Sequence, residues 1–238
     1  MEADCDKAIA HEALGLGFPV GGMHYRAYVG PPADYDLIAA MTFNLLTTIG
    51  LRAHHRLLDI GCGSLRIGRL LIPYLNRGNY TGVEPNAWLV EDGIRHELGA
   101  EAIQLKAPVF HYGDTPALLD DCGAFDFVVA QSIFSHCGPE LIASWLQGIS
   151  PATKGAMLAT FVIGEKDCTA PGWHYPECVN YRPESMRRFA EDAGFRFRQL
   201  DWRHPRQTWG LFCKPSFDDS WFVSRPLTWN NWMDYGPR

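Results

Sequence analysis

One run does most to limit how this chain can fold: Leu57-Leu58-Asp59-Ile60-Gly61-Cys62-Gly63-Ser64-Leu65-Arg66-Ile67-Gly68. Four residues suited to a buried strand lead into glycines and then into a helical pattern, and small residues at such a junction let a ligand approach the backbone. With the helix starting at Leu65, N–H groups exposed there would favour polar or anionic ligand groups. Downstream, short apolar runs alternate with helical patterns. Leu57–Ile60, Tyr80–Val83, Phe125–Ala130 and Met157–Ile163 read as strands, and Leu65–Leu75, Ala87–Leu98 and Pro139–Ile149 read as helices. This alternation predicts an α/β body with a doubly wound, mostly parallel sheet.

The chain's end reads differently. Pro183–Ala193 is helical and stops at Gly194, and Phe195–Trp202 and Thr208–Lys214 form two strands joined through His204, Pro205 and Arg206, a terminal antiparallel hairpin. Upstream, the helical stretch Asp34–Ile49 follows a Gly- and Pro-rich segment. Three parts are expected: a helical N-terminal lid over 1–50, a body over 51–214, and an aromatic tail over 215–238. Tail residues Phe217, Trp221, Phe222, Trp229, Trp232 and Tyr235 are expected to pack on the body or on a second copy in a homodimer.

Composition narrows the partners. Lys and Arg number 21 against 27 Asp and Glu, a net charge of −6, and they are scattered, which excludes a phosphate-binding stripe and makes nucleic acid a poor fit. No apolar run is long enough to span a membrane, and the first ten residues carry Glu2, Asp4, Asp6 and Lys7 in place of a basic segment before an apolar one. A cytoplasmic protein with no membrane partner is expected. Seven cysteines, an odd number without any C-x-x-C pair, fit reduced thiols. Cys168, His174 and Cys178 fall close together but match no zinc spacing, so no metal is expected.

Glu84 lies at the end of the second strand, 23 residues after Gly61, where an acidic side chain can accept both hydroxyls of a ribose. A dinucleotide fingerprint would place glycine at position 66, and Arg66 stands there, which disfavours a nicotinamide enzyme. Asp59-x-Gly61-x-Gly63 followed by Gly82-Val83-Glu84-Pro85 instead resembles the class I S-adenosylmethionine-dependent methyltransferase family. Gly113-Asp114, the strand Phe125–Val129 and the final hairpin come in the order of that family, so the resemblance runs over about residues 55 to 214. Leu65 departs from its common third glycine.

The resemblance implies a Rossmann-like seven-stranded sheet and S-adenosylmethionine as cofactor. It places the cofactor's amino-acid end over Gly61, Cys62 and Gly63 beside Asp59, its ribose on Glu84 next to Pro85, its adenine near Asp114, and its sulfonium by Gln131 and Ser132. Arg66 and Tyr28 are within reach of its carboxylate. His136 follows the fourth strand and titrates near neutrality, which makes it the candidate base. The long connection 164–181 brings Trp173, His174 and Tyr175, which with Tyr25 and His136 form the expected acceptor site. In catechol-type members a metal is held by acidic residues after the fourth strand, and Gln131–His136 contains none, so a metal-independent enzyme is expected. Methyl transfer to oxygen or nitrogen of a small, partly apolar or aromatic molecule is the expected activity. The alternative is a protein that binds the cofactor without transferring methyl.

Overall fold

The computed structural model describes residues 13–220. Its body is one sheet. Strands β1 (Leu57–Ile60) and β2 (Tyr80–Val83) are buried at every position, as strands covered on both faces must be. With β3 (Val109–His111), β4 (Phe125–Ala130) and β5 (Thr153–Ile163) they pair in parallel, and β7 (Arg196–Leu200) and β8 (Thr208–Cys213) add an antiparallel edge. The order is β3-β2-β1-β4-β5-β8-β7, seven strands as expected, with a two-residue strand β6 (Asn180–Tyr181) pairing off this path with β5. Because the chain steps one way from β1 to β3 and the other way from β4 to β5, a crevice opens at the carboxyl ends of β1 and β4.

Helices cover the sheet: α1 (Tyr25–Tyr28), α2 (Tyr35–Thr48), α3 (Gly68–Tyr74), α4 (Ala87–Gly93), α5 (Ala100–Lys106), α6 (Pro139–Ile149) and α7 (Pro183–Asp192). The sequence places the start of α3 at Leu65; the structure starts it at Gly68. Leu65 explains the delay, since it holds φ +60, a left-handed conformation costly for a branched side chain. Burial offsets that cost: Leu65 is fully buried, its side chain lying against Gly68 and Gly93.

Gly93 lets α4 sit directly on the glycine loop. A Cβ there would drive into the Ser64 carbonyl oxygen, a backbone atom that cannot swing aside. Gly93→Ala is therefore expected to destabilise the fold by about 2–3 kcal/mol despite alanine's better helix propensity, lowering Tm by roughly 5–10 °C in a melting experiment.

Past Gly93 the helix widens into a π-turn, Ile94–Leu98, and presents Glu97 to the N-terminal head. Glu97 accepts from Tyr25 Oη at 2.9 Å and from Arg26 Nη2 at 2.6 Å, while Asp36 of α2 takes Arg26 and Arg69. Tyr35, fully buried, donates to the Ser64 carbonyl at 3.0 Å, with the guanidinium carbons of Arg26 and Arg69 at 4.6 and 5.4 Å from its ring centre. These contacts seat the head on the β1–α3 loop. Of the expected tail, Phe217 packs edge-on against Phe127, and the other five aromatics lie outside the described residues. No helix among the described residues is long and apolar enough to cross a membrane.

Candidate active site at the carboxyl ends of β1 and β4

A cavity of about 530 Å³ fills the crevice. The β1–α3 loop forms its floor, with Gly61 and Gly63 at φ +67 and +54. The N–H groups of its first three residues are taken up within the protein: Gly61 and Cys62 donate to the Val83 carbonyl at 2.8 and 3.0 Å, and Gly63 donates to Glu84 Oε2 at 3.1 Å. The loop simply extends the parallel pairing of β1 with β2. Gly63 also needs its bare Cα, because a Cβ would meet Val29 Cγ1 of the head at 2.8 Å.

Glu84 is held ready. Besides Gly63, its Oε1 accepts from Asn86 N and Nδ2 at 3.0 and 2.8 Å, which fixes the carboxylate at the cavity wall. Burial raises its pKa, and the Asn86 hydrogen bonds oppose that rise. Pro85 lies beside it, and Asp114, after β3, lines the cavity without a hydrogen bond to the described residues.

Arg66 is the least ordinary group here. Its guanidinium is buried, donates from Nη1 to the Val29 carbonyl at 3.0 Å and from Nη2 to Gln131 Oε1, and has no salt bridge to a carboxylate among the described residues. Burial pulls its pKa down to about 10. A buried cation in that condition is costly unless an anion joins it.

At the end of β4, Ser132 takes φ +60 and donates its N–H to Thr160 Oγ1 at 2.7 Å. His136 closes this side. Its Nδ1 lies 2.7 Å from the Glu177 carbonyl oxygen, which can only accept, so Nδ1 carries the proton and Nε2 is left with its lone pair. Burial lowers the pKa of this histidine, an effect the Glu177 carbonyl counters. Tyr175 stands edge-on to His136 with ring centres 4.9 Å apart, and Trp173 lies 5.5 Å from it. Tyr175 Oη also donates to the Tyr28 carbonyl, which ties the 164–181 connection to the head.

Most residues expected at the site do line this cavity: Tyr28, Gly61, Gly63, Arg66, Glu84, Pro85, Asp114, Gln131, Ser132, His136, Trp173 and Tyr175. Four do not. Tyr25 turns away to Glu97 and Arg26, and His174 Nε2 turns back to the Ala170 carbonyl at 3.3 Å. Cys62 packs its sulfur against Gly82 inside the body. Asp59 points under the loop, where Oδ2 accepts from Tyr80 Oη at 2.8 Å, and burial pushes its pKa up to about 7.

Asp59 thus gives a pH signature. The folded form holds the proton up to about pH 7, whereas the unfolded chain releases it near 3.8, so the unfolded state binds fewer protons between those values. Stability from this group is full below about pH 4 and is lost as pH rises through 7. Chemical denaturation at pH 5 and pH 8 is expected to show a smaller pH-dependent decline in Asp59→Asn than in the wild type.

Five further side chains line the cavity that no motif marks: Ile133, Leu141 and Trp145 of the helix Pro139–Ile149 and the segment before it, and Arg206 and Gln207 at the hairpin turn. Among the described residues no group of three or more His, Cys, Asp or Glu is arranged to hold a metal ion.

Solved structures share this architecture. Magnesium protoporphyrin IX methyltransferase from Synechocystis PCC 6803, with SAM bound, superposes with a TM-score of 0.62 at 13% identity, over 88% of this chain and 97% of that one. The chain has the class I methyltransferase fold. A putative O-methyltransferase from Nostoc punctiforme PCC 73102 matches at TM-score 0.60 and 15% identity, over 80% of this chain and 60% of that chain. An O-methyltransferase family protein from Burkholderia thailandensis gives 0.55 and 14%, over 82% and 62%. No protein-family profile matches the sequence, and no curated protein matches it. On the methyltransferase fold, this cavity lies at the switch point where such sheets bind ligands.

Proposed function

We propose that this chain is an S-adenosylmethionine-dependent methyltransferase acting on an oxygen or nitrogen of a small, partly apolar or aromatic molecule. One observation carries the reading: the buried Arg66 guanidinium, with no carboxylate at salt-bridge distance among the described residues, shares a cavity with the preset Glu84 carboxylate and the free Nε2 of His136. These residues fit the cofactor's parts. Arg66 suits its carboxylate, Glu84 the two ribose hydroxyls, and Asp114 with Leu141 and Trp145 the adenine. When bound, S-adenosylmethionine supplies a methyl group on a positively charged sulfur.

The remaining work belongs to the protein. Trp173 and Tyr175 offer an acceptor ring apolar contact, and His136 Nε2 accepts the proton of an O–H or N–H that is to be methylated. Tyr28 and Val29 of the head line the cavity, where they would shield a bound methyl donor from water. Orientation in a dry cleft is worth up to about 7–11 kcal/mol in well-positioned systems.

Parallel calorimetric titrations with S-adenosylmethionine, S-adenosylhomocysteine and NAD test the assignment. Micromolar binding of the first two without NAD supports it, and binding of NAD alone overturns it. Release of S-adenosylhomocysteine with an acceptor present then separates an enzyme from a binding protein.

A further inference from the structure

The cavity is electrically lopsided, and the asymmetry follows the sheet order. Its two lining carboxylates, Glu84 and Asp114, come from the ends of β2 and β3. Beyond β1 the wall carries Arg66 and, from the β7–β8 turn, Arg206, with no Asp or Glu among the lining residues on that side. His204 sits in the same turn, and burial first, then Arg66 and Arg206, push its pKa down to about 3.

Arg206 is only partly engaged. Its Nη2 lies 2.9 Å from Asp34 Oδ2, while Nε and Nη1 have no partner among the described residues. Hydrogen-bond donors adjoin it. Gln207 Nε2 donates to Ser132 Oγ at 2.9 Å, and Gln131 Nε2 donates to the same oxygen at 2.9 Å. With two donors on its oxygen, the Ser132 hydroxyl is left to donate its own proton, and Ser132 lines the cavity. Trp173, 52% exposed, and Tyr175, its ring stacked on Trp173 at 27°, supply the apolar surface on the same side.

We propose that the methyl acceptor is a small aromatic acid, its ring against Trp173 and Tyr175 and its carboxylate held by Arg206. The inference rests on the methyltransferase reading and adds the acceptor's charge to it. A guanidinium offers two parallel N–H donors to a carboxylate, which a neutral ring cannot use. Asp34 is then the carboxylate's competitor for Arg206.

That competition gives a test. Protein saturated with S-adenosylhomocysteine is titrated with benzoate and with benzyl alcohol, a neutral ring of similar size, by ligand-observed NMR. Benzoate is expected to bind at least about tenfold more tightly, and added salt to erode the preference. Arg206→Gln removes the preference, and Asp34→Asn, which frees the guanidinium, raises benzoate affinity several-fold; melting curves check that each variant is folded. An ion pair that merely holds the head down predicts no gain in Asp34→Asn. Equal affinity for the two probes, undetectable benzoate binding, or no gain in Asp34→Asn overturns the proposal. Should S-adenosylhomocysteine itself fail to bind, the methyltransferase reading falls and takes this inference with it, whereas its binding without a benzoate preference overturns this inference alone.

Discussion

Turnover in His136→Ala should fall by about 10²–10⁴-fold, the usual contribution of a positioned general base, while affinity for S-adenosylhomocysteine stays at the wild-type value. The expectation follows from the fixed tautomer: the Glu177 carbonyl holds the proton on Nδ1, so Nε2 is an acceptor throughout the neutral range. Because burial lowers this histidine's pKa from 6.5, the acid limb of kcat/KM in the wild type belongs below that pH, with a flat profile from 7 to 8. The alanine variant loses the limb along with the rate. These measurements use S-adenosylhomocysteine release with an acceptor found by screening, and unchanged turnover removes His136 from the chemistry.

Glu84→Ala should weaken S-adenosylhomocysteine binding by about 10- to 100-fold, since hydrogen bonds to a charged group contribute about 1.5–3 kcal/mol. The carboxylate is fixed by Gly63 and Asn86 before any ligand arrives, so little ordering cost is charged to binding. Removing it also leaves the Gly63 N–H without its partner. Calorimetry measures the loss, and an unaltered affinity in Glu84→Ala places the ribose elsewhere.

Local signals carried much of this into the sequence. Strand β1, the glycine loop and Glu84 lie within 28 residues of one another, from Leu57 to Glu84, and the same short stretch both folds and lines the cavity. Helix α6, Pro139–Ile149, was legible to the residue because proline opens it and one apolar face repeats along it. Asp59 misled, because its motif position gives no sign that Tyr80, 21 residues on, turns its carboxylate inward. Arg206 and Gln207 escaped for a related reason: only the docking of the β7–β8 turn against the segment after β4 brings them to the cavity, and no periodicity encodes that. Leu141 and Trp145 carry the pattern of any core-facing helix stripe, which is the same whether the far side is protein or ligand.

Segment 28–34 of the head is gripped by three side chains from separate elements: Arg66 on the Val29 carbonyl, Tyr175 on the Tyr28 carbonyl and Arg206 on Asp34. Each of the three also faces the cavity. A substitution at any one therefore alters what the ligand touches and how firmly the roof is fastened, in a single stroke. Effects of pairs drawn from this trio will not sum, and only double-mutant cycles run with and without ligand can apportion them between contact and closure.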